Sequence, residues 1–117
     1  MAVKTPSLSI IVPTYNEKGN MALLIPRLSR ILSEESIGFE IIVMDDASPD
    51  GTASEVEMLS KEHPEAKCVV RRSDPGLSPA VIEGFRRARG EVILVMDADL
   101  SHPPEVVPRM YRAIIDD

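Results

Sequence analysis

The stretch EVILVMDADLSHPP, residues 91–104, changes character within one peptide bond: an unbroken apolar run, Val92 to Met96, meets two acids spaced i, i+2, Asp97 and Asp99. Val- and Ile-rich runs without polar alternation are what a strand needs when both faces are covered, as in a parallel sheet between helical layers. The prolines at 103 and 104 suit the first turn of a following helix. This segment therefore predicts a strand, a loop and a helix, with the polar chemistry gathered at the strand's carboxyl end.

Three earlier runs repeat the plan: LSIIVP from Leu8, FEIIVM from Phe39 and KCVVR from Lys67. Helical spacing fills the intervals. Met21, Leu24, Ile25, Leu28, Ile31 and Leu32 form one stripe, with Pro26 placed to break or kink the helix if it falls beyond the first turn. Ala53, Val56 and Leu59 form a second stripe, with Thr52 and Glu55 spaced as a capping box. A third helix is expected from about Ser78 to Ala88, stopped by Gly90. A fourth begins near Pro103 and carries Val106, Val107, Met110 and Ile114. The order βαβαβαβα predicts right-handed crossovers and a three-layer α/β fold around a mostly parallel sheet.

A length of 117 residues makes one domain with a real core, and 44% hydrophobic with 27% charged residues is ordinary globular material. The net charge of −6 argues against a nucleic-acid binder, whose affinity rests on Lys and Arg at phosphates. Any phosphate bound here needs a local device such as a metal ion. Cys68 is the single cysteine, which excludes an internal disulfide and fits a reducing, cytoplasmic setting. The opening MAVKTPS is not a signal peptide, and no apolar run approaches the ~20 residues of a membrane span.

Ligands of open α/β sheets bind beyond the carboxyl ends of the strands, where the strand order reverses. The segments after the four runs are PTYNE, DDASPDGT, RRSDPGLS and DADLSHPP, so acidic and polar groups collect on one edge. If the first three strands run outward in order and the fourth returns beside the first, PTYNE and DAD flank the switch point. Asp97 and Asp99 in an extended segment project to one face and repel, unless water or a divalent cation such as Mg or Mn sits between them. The plainer alternative makes them a strand end and a turn. One of Asp45 and Asp46 can accept hydrogen bonds from a nucleobase or ribose, or else cap the loop that follows; Asp50 and Gly51 suit the loop and helix start. Pro13 ends the first strand, Tyr15 offers a flat face, Glu17 can accept two hydroxyls, and Asn16 suits a helix cap. His102 can serve as a phosphate contact or as a loop residue. Arg71 and Arg72 end the third strand. Arg86, Arg87 and Arg89 form a basic helical face, solvated or in contact with anionic lipid. No Ser/His/Asp set, zinc spacing or Gly-rich phosphate loop is present, which disfavours covalent catalysis.

Taken together, IIVPTYNE, IIVMDDASPDGT and GLSPAVIEGFRRARGEVILVMDADLSHPPEVVP resemble the family 2 glycosyltransferases of the GT-A fold, and among them the dolichol-phosphate (polyprenol-phosphate) mannosyltransferases. The resemblance covers essentially the whole chain, and MDADLSHPPE is its specific part. It implies a Rossmann-like nucleotide-sugar-binding domain over residues 1–117, the N-terminal part of a longer catalytic unit. It further implies metal-dependent, inverting transfer of mannose from GDP-mannose to a polyprenyl phosphate at the cytoplasmic face of a membrane. By position, Pro13, Tyr15 and Glu17 would line the nucleotide pocket, with Val43 and Asp45 at the nucleoside. Asp97 and Asp99 would hold Mg or Mn and the diphosphate, with Ala98 against the donor. Ser101, Gln in some relatives, would be a third metal ligand, and Pro75 stands where a basic residue is common. The alternatives are a non-catalytic nucleotide-sugar-binding half domain, a transferase using UDP-glucose or another nucleotide sugar, and a phosphoacceptor receiver domain. The last would want its acid pair on the first strand and a single Asp ending the third.

Overall fold

Strands β1 (Leu8–Thr14) and β2 (Phe39–Asp45) form the centre of a four-stranded sheet in the computed structural model, which describes residues 5–116. β3 (Ala66–Val70) lies outside β2 and β4 (Val92–Val95) outside β1, giving the order β3-β2-β1-β4 with every pair parallel. Leu8 is level with Phe39 on one side and Val92 on the other. The helices are α1 (Asn20–Glu34), α2 (Thr52–Leu59), α3 (Leu77–Arg87) and α4 (Val107–Ile115), the last entered through a single 3₁₀ turn at Pro104–Val106.

Alternation divides the strands between two helical layers. Leu8, Ile10, Val12, Ile41 and Val43 face the layer of α1 and α2, where Met21, Leu24, Ile25, Leu28, Leu32 and Val56 complete a core of fully buried side chains. Ile11, Ile42 and Met44 face the other way and pack with Ala80 of α3. Burial on both faces is the reason the middles of the central strands, Ile10–Val12 and Ile41–Met44, are wholly apolar. Each large aliphatic side chain taken out of water contributes about 1.5–3 kcal/mol, so the stripe on α1 outweighs its imperfection. That imperfection is Pro26, which sits inside α1 without ending it. The lost amide costs about 3 kcal/mol, and the five buried side chains of the stripe carry the helix past the gap.

Several local expectations fail. Thr52 and Glu55 form no capping box: the Thr52 amide donates to Asp50 Oδ1 at 3.0 Å, and the Glu55 carboxylate turns to the Gly19 amide instead. Asn16 does not cap α1, whose first residue follows Gly19 with no side-chain cap. The α4 stripe is mostly open: Val107 is buried, but Met110 and Ile114 are 46% and 49% exposed, because β4 is the sheet edge and nothing among the described residues covers it. Cys68 is half-buried in β3, and burial pushes its thiol up to about 12, an unreactive state.

An acid lies buried in the α3 face. Glu40, 3% exposed, accepts from the Ser9 hydroxyl at 2.6 Å and the Arg89 amide at 2.7 Å, with Lys67 and the Arg89 guanidinium alongside. Burial alone would raise its pKa, but the Ser9 and Arg89 hydrogen bonds and the two cations overcome this and hold it below the ordinary 4.5. A depressed carboxylate contributes stability that is complete above the unfolded value and lost as pH falls through the folded one. Urea midpoints measured from neutral pH downward should therefore fall below about pH 4.5, and Glu40→Gln should flatten that part of the slope. An unchanged slope would remove Glu40 from the acid response.

Candidate active site

The chain leaves β1 in one direction to build β2 and β3 and reaches β4 on the other side, so the strand order reverses between β1 and β4. Ile11 is level with Val95, and Met96 still donates to the Ile11 carbonyl at 2.9 Å. Continuing that register brings Asp97 level with Pro13. The backbone is strained on this edge in particular. Asn16, Ala47, Asp74 and Leu100, one in each of the four loops after the strands, have φ of 56°, 54°, 51° and 64°. Left-handed non-glycine residues cost energy and concentrate where a site dictates loop shape.

Past β4, Met96 and Ala98 are buried while Asp97 and Asp99 are exposed, so the two acids are raised together from the end of the strand. The chain turns at Ala98 and Asp99, and Asp99 Oδ1 accepts the Ser101 amide at 3.0 Å. The Ser101 hydroxyl and amide hold Asp99 below the ordinary carboxylate range, with His102 adding a smaller attraction. Ser101 thus braces a carboxylate. Asp97 forms no ion pair or hydrogen bond among the described residues. Two exposed, hard carboxylates suit Mg or Mn, which keep several waters and bind through one or two protein acids plus phosphate oxygens. No cluster of three or more His, Cys, Asp and Glu that could hold a metal ion occurs among the described residues, so Asp97 and Asp99 are the acids this edge offers to one.

On the β1 side, the loop after β1 is fastened to the loop after Asp45 and the first turn of α2 by four consecutive amides. Asn16 donates to Ser48 Oγ at 2.8 Å, Glu17 to Thr52 Oγ1 at 3.1 Å, Lys18 to Asp50 Oδ2 at 3.1 Å, and Gly19 to both Glu55 oxygens at 2.9 and 3.1 Å. The polar content of ASPDGTASE therefore fixes PTYNEKG. Asp45, fully buried, anchors the same arrangement: it accepts from Thr14 Oγ1 at 2.7 Å and from the Ser48 hydroxyl and amide at 2.6 and 2.8 Å. Its neighbour Asp46 points to the α3 side, as strand alternation requires. There it pairs with buried Arg71 and accepts the Gly76 amide at 2.8 Å. Arg71 also donates to Glu83 at 3.1 Å and the Asp74 carbonyl at 2.9 Å. Burial would lower its pKa, but Asp46 and Glu83 raise it, so the charge is permanent and the loop from residue 71 to 76 is pinned to β2.

A concavity of about 380 Å³ opens between these loops, lined by Pro13, Tyr15, Asp46, Gly76 and Leu77 among others. Tyr15 is 59% exposed there. Of the residues assigned to the nucleotide from sequence, Pro13 and Tyr15 line this space. Val43 lies in the core, Asp45 beneath the loops, and Glu17 accepts from the Asn20 side chain at 2.7 Å. Sequence reasoning passed over Thr14 and Gly76 as lining residues, left the choice between Asp45 and Asp46 open, and gave Arg71 no role; it is Asp46 that lines the concavity. A cation closing a buried strand next to an acid-ended one was the available signal for that pair. A larger hollow of about 660 Å³ lies at the opposite, amino edge of the sheet, around Glu40, Lys67 and Arg89, away from all four of these loops.

Asp45→Ala should do two things. Removing a buried carboxylate strands the Thr14 and Ser48 donors, at about 1–3 kcal/mol, and frees the loop that carries Tyr15. Nucleotide affinity measured without metal should weaken as well. An effect on the urea midpoint alone would confine Asp45 to holding the loop.

Comparisons with known proteins converge on one family. The model described as Glycosyl transferase family 2 matches residues 9–117. A dolichol-phosphate mannosyltransferase of Pyrococcus furiosus is 47% identical over 107 residues, covering 92% of this chain and 30% of that protein. That of Saccharomyces cerevisiae is 42% identical over 109 residues, covering 92% and 41%. Among solved structures, a mannosyltransferase from Pyrobaculum calidifontis in complex with GDP-Man and Mn2+ superposes with a TM-score of 0.69 at 31% identity, covering 95% of this chain and 32% of that one. S. aureus TarS 1-349 gives 0.70 at 27% identity, covering 94% and 32%. The chain spans 30% to 41% of the length of these curated relatives.

Proposed function

Because the chain belongs to glycosyl transferase family 2 and has its GT-A fold, we propose that it binds a nucleotide sugar at the carboxyl edge of its sheet and serves hexose transfer to a polyprenyl phosphate. The favoured donor is GDP-mannose, in keeping with the mannosyltransferase names of its relatives and the ligand of the Pyrobaculum neighbour. Family membership sets aside the phosphoacceptor alternative. The observation that carries the proposal is the exposed pair Asp97 and Asp99, raised from β4 beside the Pro13–Tyr15 concavity.

In this reading Tyr15 lies against the nucleoside, Pro13 and Gly76 shape its pocket, and Ala98 lies under the donor. Asp45 and the Asp46–Arg71 pair keep those walls in place. Asp97 and Asp99 would hold a Mg or Mn ion, which supplies charge neutralisation to a diphosphate leaving group. An acceptor phosphate oxygen forms the new bond at the anomeric carbon as the bond to the diphosphate breaks, with inversion. That oxygen is already ionised near neutral pH, so this chain need not provide a general base. The natural setting is the cytoplasmic face of a membrane, and the chain acts as the donor-binding unit of the catalytic domain. Among the described residues no helix is long and apolar enough to cross a membrane.

Calorimetry with GDP-mannose, UDP-glucose and UDP-GlcNAc, each with Mn and with chelator, tests the reading. Saturable heat with GDP-mannose that disappears on chelation is the expected result. Preference for a uridine nucleotide would reassign the donor, and no binding to any of them would sink the proposal. Donor binding without turnover would mark this chain as a binding half domain.

A further inference from the structure

The loop that carries Asp97 and Asp99 has few fastenings of its own. Asp99 accepts the Ser101 amide at 3.0 Å and the Pro103 carbonyl accepts the Val106 amide at 3.1 Å, while Pro103 and Pro104 have no amides to give. Leu100 nevertheless sits at a φ of 64°, a left-handed conformation that persists in a non-glycine residue only where its surroundings hold it. The upstream end is held by β4, whose strand bonding continues through the Met96 amide to Ile11. The downstream end is held from another element. Arg27 of α1 donates from Nη2 to both Glu105 oxygens, at 2.7 and 2.8 Å, across 78 residues of sequence, and Glu105 lies in the 3₁₀ turn that ends the loop. The base of this contact is rigid, because Leu24, Ile25 and Leu28 around Arg27 are fully buried. Arg27 holds the Glu105 carboxyl below the ordinary carboxylate range, with Arg30 adding a smaller attraction. The two side chains are 39% and 52% exposed, and ion pairs that open to water contribute little to folding stability.

We propose that Arg27 and Glu105 are positioning residues for the acid pair: their contact locks the 3₁₀ turn onto α1 and so sets where the loop holds Asp99 relative to Asp97. The inference rests on the reading of Asp97 and Asp99 as metal ligands. Small divalent cations with strict coordination geometry tolerate little play between the ligands that share them, so a loop with one loose end binds them less well. A second ion pair between the same elements supplies a contrast. Arg112 of α4 pairs with Glu35 just beyond α1, at a similar exposure of 47% and 42%. That pair lies roughly two helical turns along from Glu105, so it braces the far end of α4 and not the acid-bearing loop.

Titration of Mn into the full chain with GDP-mannose gives the test, read as the Mn concentration at half-maximal donor binding. Arg27→Ala and Glu105→Ala should each raise that midpoint about fivefold, less than the 10–100-fold lost with a group bonded directly to a metal ligand. The double variant should be no worse than either single one, since both remove the same contact. Donor affinity at saturating Mn and Tm should stay close to those of the unmodified chain, whereas a merely structural role would lower Tm and leave the metal requirement alone. Arg27→Lys should recover most of the loss, because the contact uses a single nitrogen. Arg112→Ala should leave the midpoint where it is. An unchanged midpoint in both alanine variants, a double variant that adds the two losses, or an equal shift in Arg112→Ala would each overturn the proposal. A chain that binds GDP-mannose without Mn, or not at all, would sink the metal reading and this inference together. Mn-dependent binding that is indifferent to Arg27 and Glu105 would refute this inference alone.

Discussion

Alanine at Asp97 or Asp99 should raise the Kd for GDP-mannose in the presence of Mn by at least about 100-fold and leave thermal stability unchanged. Losing an outer partner of a metal site already costs about 10–100-fold in affinity, and a direct ligand should cost more. No cluster of three His, Cys, Asp or Glu that could hold a metal ion stands among the described residues as an alternative site. Stability should hold because both acids are exposed: Asp97 makes no partner contact, and Asp99 gives up only its bonds from Ser101 in an exposed turn, so each variant removes like-charge repulsion rather than packing. Ser101→Ala gives a graded control. It removes the hydroxyl that braces Asp99 while keeping both carboxylates, so its loss should be nearer tenfold. Calorimetry in Mn and in chelator reads all three variants. Unchanged affinity in Asp97→Ala and Asp99→Ala would defeat the metal assignment and return the pair to a strand end and a turn.

What the sequence disclosed and what it hid divide along a physical line. The four strands, the sheet order and the gathering of acids at one edge follow from runs of Val and Ile and from the crossover rule, because burial on two faces leaves a compositional trace. The α1 stripe was legible for the same reason. Local polar assignments fared worse. Thr52 and Glu55 have the spacing of a capping box, yet their oxygens serve the amides of Glu17 and Gly19, 35 and 36 residues away. Asp50, read as helix-start chemistry, does that for Thr52 and also holds Lys18. A window of sequence cannot show a hydrogen bond whose partner arrives on another strand. Asp45 and Asp46 illustrate the limit: alternation says they diverge, but only Thr14 and Ser48 on one side and Arg71 on the other decide which is anchored where.

Gly90 is the clearest case of a right residue given the wrong reason, and it yields the largest expected loss of stability. Read as a helix stop, it should have a left-handed backbone; it is not among the glycines with positive φ, and α3 has already ended at Arg87, with Ala88 extended. The amides beyond the helix end go elsewhere, Arg89 to Glu40 Oε2 at 2.7 Å and Gly90 to Ser9 Oγ at 2.8 Å. What Gly90 supplies is the absence of a side chain. A Cβ there would lie 2.7 Å from the Ser9 amide nitrogen, 2.8 Å from the Leu8 carbonyl carbon and 2.8 Å from Ser9 Oγ. β1 is hydrogen-bonded to a strand on each side, so its backbone cannot retreat without disturbing both ladders. Gly90→Ala should therefore cost about 2–3 kcal/mol, lowering Tm by roughly 8–12 °C for a domain of this size. Gly38→Ala is the matched control, since its added Cβ would meet only the Ser7 nitrogen at 3.8 Å, and it should be neutral or slightly stabilising. Because Gly90 lies at the amino edge of the sheet, its variant should keep donor affinity at temperatures well below its Tm, the inverse of the aspartate variants. A Tm equal to that of the unmodified chain would mean that β1 yields at Ser9, and the close approach would then not be what requires glycine.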